Sequence, residues 1–181
     1  LFLHLDYLEY AVKEKAIKGL PDLPAKDRHG LTEEALVCFV SAEKRDESSP
    51  VAVAKAAASN VDEIAGQLGT KRVVLYPYAH LSSSLTAPDR ASEILTGLEK
   101  ELRSRGFEVT ASPFGYYKSF KVAVKGHPLS ELSREIVAEA HEDAKEYVAE
   151  AIKAEEKLRS AWFVMDTKGE LHPLTINDGE L

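Results

Sequence analysis

The chain has one cysteine, Cys38, and that scarcity excludes an intrachain disulfide and any multi-cysteine zinc site. Cys38 stands in the apolar run LVCFV and reads as a small core hydrophobe. A lone thiol of this kind suits a reducing compartment, so a cytoplasmic location is expected. No apolar run is long enough to cross a bilayer, so no membrane association is expected. The opening stretch LFLHLDYLEY has no basic leader and carries Asp6 and Glu9, so it does not read as a signal peptide. It also lacks an initiator methionine, and a few native residues are expected to precede it. Cations are in deficit: 23 Lys and Arg stand against 30 Asp and Glu, a net charge of −7. This balance argues against a broad nucleic-acid binder but leaves room for a local basic patch that grips only one end of a nucleic acid.

Several catalytic signatures are missing as well. His4, His29, His80, His127, His141 and His172 are scattered, with no HExxH pair, so no metal is expected. Ser82, Ser83 and Ser84 lack a GxSxG setting and read as turn-capping residues. The glycines form neither a P-loop nor GxGxxG, so no ATP or dinucleotide cofactor is expected by those routes.

What remains is a mixture of strand and helix periods. LFLHLDYLEYAV alternates as a strand, with Leu1, Leu3, Leu5 and Tyr7 on one face and Phe2, His4, Asp6, Leu8 and Tyr10 on the other. Residues 19–34 read as a loop from their glycines and prolines. ALVCFVSAEK is a strand, and residues 50–68 are a helix with Ser49 as N-cap and Pro50 at its first position. KRVVLYPYAH is a strand that Pro77 pushes toward an edge or bulge. ASEILTGLEKELRSRG is an amphipathic helix stopped by Gly106. FEVTASPFGYYKSFKVAVK reads as two strands around a Ser-Pro-Phe-Gly turn, and Pro128 opens a further helix, PLSELSREIV. From Val137 an alanine seam runs through Ala140, Ala144, Tyr147, Ala151, Ala154 and Leu158, with Glu155 placed to pair Arg159. It reads as a solvated helix leading to a hairpin in WFVMDTKGELHPL. The expected boundary divides a core domain, 1–145, from a helical linker and hairpin, 146–181.

Within the strand from Tyr116, one residue breaks the pattern. Tyr116, Phe120, Val122 and Val124 share a face, and so by period does Lys118. Two readings stand. The strand ends there and the ammonium reaches solvent through a bulge, or Lys118 lies desolvated at a pocket, where its charge holds a carbonyl or a water. Glu131 is a candidate partner, or a surface glutamate of the following helix. His80, at the end of a strand, is a weaker candidate. Lys121, Lys125, His127 and Arg134 gather positive charge near Lys118, either as a solvated edge or as a phosphate grip.

HLDYLEY, YPYAHLSS and PFGYYKSFKVAVKGHPLSELSR, in that order, resemble the N-terminal editing domain of archaeal threonyl-tRNA synthetases, a relative of the D-aminoacyl-tRNA deacylases. The resemblance covers roughly residues 1–140. It implies an α+β fold, with a mixed, curved sheet of five or six strands carrying helices, and a homodimer. It implies hydrolysis of L-serine misattached to tRNA(Thr), with no metal, no cofactor and no covalent intermediate. The implied partners are the acceptor end of the tRNA with its terminal adenosine, whose 2′-hydroxyl assists, and the synthetase body in cis or in trans. Lys118 and His80 are implied to polarise and position the ester and water, supported by Tyr117 and Glu131. Ala42, Pro77, Tyr78, Ala79, Pro113, Phe114, Gly115 and Tyr116 are implied to line the substrate pocket. The chemistry is apt: one methyl separates serine from threonine, and a pocket discriminates such a group by only about 1–3 kcal/mol, so a second, hydrolytic site is needed. A free-standing D-aminoacyl-tRNA deacylase and a non-catalytic tRNA-acceptor-binding or dimerisation module are the alternatives.

Overall fold

The computed structural model describes residues 1–137, 162–165 and 168–174. The chain divides into two compact units, Leu1–Glu139 and Ala140–Leu181. The first unit contains β1 (Phe2–Lys15), β2 (His29–Val40), α1 (Pro50–Leu68), β3 (Arg72–Pro77), α2 (Pro88–Ser104), β4 (Glu108–Ala111), β5 (Tyr116–Val124) and β6 (Glu131–Leu132). The fold is α+β, with a six-stranded mixed sheet in the order β4-β3-β2-β1-β5, and β6 paired to β1 beyond the end of β5. β2, β3 and β4 are parallel, joined by α1 and α2; β1 is antiparallel to both β2 and β5. Among the described residues no helix is long and apolar enough to cross a membrane.

The two sheet faces are buried differently. Leu36, Cys38, Val73, Leu75 and Val109 point toward the helices and meet Ala54, Ala58, Val61, Ile64, Leu98 and Leu102. The alanine-rich period of α1 lets the helix lie close to the strands, and Cys38 is a core residue there, 2% exposed, its thiol pushed up to about 12 by burial. Among the described residues no helix covers the opposite face, where Leu5, Leu8, Tyr10, Val12, Val37, Phe39, Val74 and Tyr76 cluster. The sheet covers it by curling. Phe120 of β5 and Tyr76 of β3 stand three strands apart, roughly 14 Å on a flat sheet. Their ring centroids are 5.6 Å apart, and Phe120 also meets Phe39 at 5.7 Å.

The alternation in β1 is interrupted. Leu8 and Tyr10 share the inner face with Leu5, while Tyr7 turns outward, 38% exposed. The cause is an irregularity at Asp6: the pairing with β5 slips between Leu5 and Tyr7, and Glu34 on the neighbouring strand takes a positive φ of 49°. Lys125 pairs with both carboxylates at this kink, with Glu34 at 2.8 Å and with Asp6.

Other expectations are corrected. The loop after β1 ends earlier, because β2 already starts at His29. Gly30, which suggested a loop, lies opposite Tyr10, whose ring occupies the space a Cβ would need (2.2 Å to Cε1). Ser49 sits at the α1 N-cap position and Pro50 in the first turn, but the Ser49 side chain makes no capping bond. Pro77 ends an interior strand rather than an edge, at a point where β4, paired only as far as Leu75, no longer asks for its missing N–H. β4 and β5 do not form a hairpin; they occupy opposite edges. The helix expected from Pro128 is absent. The His127 carbonyl takes the Ser130 N–H at 2.9 Å, the Ser130 carbonyl takes the His4 N–H at 2.9 Å, and Glu131 and Leu132 are committed to β1. In the second unit, β7 (Trp162–Met165) and β8 (Leu171–Leu174) form the expected antiparallel pair. The predicted alanine-seam helix, with Glu155 and Arg159, lies outside the described residues.

Candidate active site

The carboxyl ends of the parallel strands β2 and β3 open onto a cavity of about 310 Å³. Ser41 and Ala42 follow β2, Pro77 to His80 end β3, and the crossing from β4 to β5 supplies Phe114 to Lys118. Thr86, Ala91 and Leu95 of the α2 region and Ala16 and Ile17 after β1 complete the wall. Ends of parallel strands suit a site because rigid elements place their last side chains at an open crevice. A second cavity, of about 350 Å³, lies on the helix side of Val40 to Ala42; its rim charge is spent on pairs of Arg45 with Glu43 and Glu135.

Lys118 points into the first cavity. It lies opposite Val12 and shares its strand face with Tyr116 and Phe120, so the period that marked it as inward holds. Its ammonium donates to the Pro113 carbonyl at 2.5 Å and stands 4.6 Å from the centre of the Tyr76 ring. Among the described residues no carboxylate pairs with it. Burial therefore pushes the ammonium down to about 8. The Tyr76 face offsets part of that cost by its quadrupole. Burial also lifts the Tyr76 phenol, to about 12, so it stays a neutral donor.

The turn that carries the Pro113 carbonyl is tied down from the other side. Gly115 has φ +81°, and a Cβ there would lie 2.4 Å from Leu20 Cδ1. Its carbonyl accepts the N–H groups of Ala16 at 2.9 Å and Ile17 at 3.1 Å. The Tyr116 hydroxyl donates to the Pro21 carbonyl at 2.5 Å. On the opposite wall the Ser41 hydroxyl donates to the Tyr78 carbonyl at 2.5 Å, locking β2 to the β3 exit. His80 occupies an exposed turn, Ala79–Leu81, with its ring edge-on to Tyr78 at 5.3 Å. Tyr78 continues into the aromatic wall of Phe39, Tyr76 and Phe120.

Ala42, Pro77, Tyr78, Ala79, His80, Phe114, Gly115, Tyr116, Tyr117 and Lys118 thus surround one cavity. Pro113 contributes its carbonyl. Glu131 is not brought there within this chain. It pairs with Leu3, nine residues along β1 from Val12, which is roughly 30 Å of strand. Lys121, Lys125, His127 and Arg134 are likewise elsewhere. Lys121 points to the other face and meets Glu9 at 3.5 Å; Arg134 meets Glu63 at 3.4 Å. His127 accepts the Leu129 N–H on Nδ1 (3.2 Å), which leaves its proton on Nε2, donated to His4 Nδ1 at 2.8 Å. Sequence reasoning missed Tyr76, Phe120, Ser41, Thr86, Ala16 and Ile17. The period of LYPY and YKSF carried a signal for the first two; the others depend on tertiary contact alone.

The family described as the Archaea-specific editing domain of threonyl-tRNA synthetase matches residues 1–136. The threonine–tRNA ligase of Thermococcus onnurineus is 46% identical over 172 residues, 94% of this chain and 27% of the relative. That of Methanococcus vannielii is 48% identical over 179 residues, 98% of this chain and 26% of the relative. That of Pyrococcus horikoshii is 44% identical over 172 residues, again 94% and 27%. The chain therefore spans about a quarter of the length of these relatives. A family match over three quarters of its length and relatives 44–48% identical over nearly all of it lead to one assignment: this chain belongs to the archaeal editing domains of threonyl-tRNA synthetase.

Proposed function

We propose that the chain hydrolyses the ester joining L-serine to the terminal adenosine of tRNA(Thr). The observation that carries this reading is the Lys118 ammonium, held in a cavity where no carboxylate among the described residues neutralises it. A cation kept this way stabilises negative charge that appears during a reaction, and does so more strongly than in water. One of its three N–H groups is used by Pro113, which leaves two for a group bound in the cavity that Lys118 lines.

In the proposed step, the water oxygen attacks the ester carbonyl carbon. The carbonyl oxygen becomes an oxyanion facing Lys118 Nζ. The tetrahedral intermediate then breaks the bond to the ribose oxygen, which leaves with one proton of the water, and serine is released as its carboxylate, the second proton passing to solvent. His80, at the mouth, positions the water or relays the proton, and the aromatic wall offers its rings to the adenine. The small side chains of Ala42, Ala79 and Ala91 leave room in the cavity for the seryl hydroxymethyl group. Tyr117, 54% exposed at the rim, orders the ribose end.

The test is deacylation of seryl-tRNA(Thr), threonyl-tRNA(Thr) and a D-aminoacyl-tRNA by the purified chain and by Lys118→Ala. Rapid loss of serine by wild type, sparing of threonine and failure of the variant are expected. Preference for the D-aminoacyl ester would replace this reading with a chiral proofreading one, and inertness on all three would leave a binding module.

A further inference from the structure

The segment from Lys13 to Arg28 leaves β1 beside the cavity and returns to β2. It carries Lys13, Lys15, Lys18, Lys26 and Arg28 against Glu14, Asp22 and Asp27, an excess of cations in a chain of net charge −7. All five cations are exposed. Lys15 is paired with Asp22 at 2.8 Å, whereas Lys13, Lys18, Lys26 and Arg28 have no carboxylate within ion-pair distance among the described residues. Lys121, Lys125 and Arg134, the cations that the sequence pattern offered for RNA, are all paired.

The segment is also fixed against the site. Ala16 and Ile17 line the cavity and bond to the Gly115 carbonyl; Pro21 accepts the Tyr116 hydroxyl. The Val12 N–H donates to the Arg28 carbonyl at 2.7 Å, and Val12 faces Lys118 across the sheet. Arg28 and Lys118 therefore flank the same residue of β1 from its two sides.

We propose that Lys13, Lys18, Lys26 and Arg28 form the surface that receives the phosphate backbone of the RNA whose 3′ end enters the cavity. This rests on the hydrolase reading for the identity of the RNA. A phosphate meeting an unpaired cation displaces only counterions, while one meeting Lys125 must first break two ion pairs. A segment already tied to the active-site turn loses little freedom on binding.

The experiment compares the 181-residue chain with Lys18→Ala/Arg28→Ala and, as a control, Lys121→Ala/Arg134→Ala. Each is assayed on seryl-tRNA(Thr), on seryl-adenosine, which has no stem, and for retention of uncharged tRNA(Thr) on a filter. The first variant is expected to raise KM for seryl-tRNA with kcat unchanged, and to cleave seryl-adenosine as wild type does. Each phosphate contact adds about 0.9 to the log–log salt slope, so between 50 and 200 mM salt the wild-type affinity should fall about tenfold more than that of the variant. Equal binding and equal salt slopes for wild type and the Lys18/Arg28 variant overturn the proposal, as does a loss confined to the Lys121/Arg134 control. If wild type cleaves neither ester, the hydrolase reading fails instead, and filter retention of uncharged tRNA alone decides the surface.

Discussion

Replacing Lys118 by methionine should make the protein more stable and less active at once. The chain bears a cost for holding this ammonium out of water. With the group moved from 10.5 to about 8, that cost is about 3 kcal/mol at neutral pH. Methionine fills a similar volume and has no charge to desolvate, but it leaves the Pro113 carbonyl without its donor, a loss of about 1 kcal/mol. Lys118→Met should therefore gain about 2 kcal/mol at pH 7. The sign follows from proton linkage. Below pH 8 both folded and unfolded wild type carry the proton and the whole cost is present. Between pH 8 and 10.5 the unfolded chain binds more protons, so wild type gains stability and the advantage of the variant shrinks to near zero at pH 10. Urea unfolding of both proteins at pH 7 and pH 10 measures this. A variant no more stable than wild type at pH 7, or a gain that ignores pH, refutes the desolvation argument. Hydrolysis of seryl-tRNA(Thr) by the same variant should fall about 10²–10³-fold, the usual effect of removing one oxyanion donor.

Other consequences can be checked in the same way. In the proposed mechanism Lys118 works as the ammonium, so kcat corrected for spontaneous ester hydrolysis should decline above an apparent pKa of about 8, and Lys118→Arg, if active, should lack that limb. Gly115→Ala forces a side chain into positive φ and against Leu20; about 1–3 kcal/mol of stability and most of kcat should be lost, read by urea unfolding and deacylation. The His4–His127 bond needs His4 Nδ1 unprotonated, because it accepts from His127 Nε2–H. Burial, then the charges of His127 and Lys125, hold His4 below its usual value of 6.5, against the pull of Glu34 and Asp6. Stability is then full above pH 6.5 and declines as pH falls below it; His4→Gln should flatten this limb in urea titrations, and the Ser130 amide of wild type should show a lower protection factor, relative to its intrinsic exchange rate, at low pH.

How much of this was legible depended on whether a local period survived in the fold. The helix over residues 50–68 and the inward face of Tyr116, Lys118, Phe120 and Val122 were readable because nothing breaks those periods. β1 was misread past Leu5 because the kink at Asp6 is held by Glu34 and Lys125, residues distant in sequence. The segment after Pro128 has a helical pattern, yet pairing with β1 claims its backbone. Gly30 looked like a loop glycine, and only the Tyr10 ring explains it. At the site, the motif residues on β3 and β5 were legible, because strand ends meet at a crevice. The pairing of Lys125 and Arg134 was not, because charge patterns do not say which carboxylates stand opposite.

The position of the first strand has a consequence for biosynthesis. β1 lies between β2 and β5, and Val12 must wait for Lys118, over 100 residues later, before its second edge is closed. A growing chain can complete its helices and parallel strands on the ribosome while that edge stays bare, open to pairing with any neighbour. Lys118 and the crossing that aims it follow β1 to β4 in the chain, so the candidate site is assembled only when β5 docks.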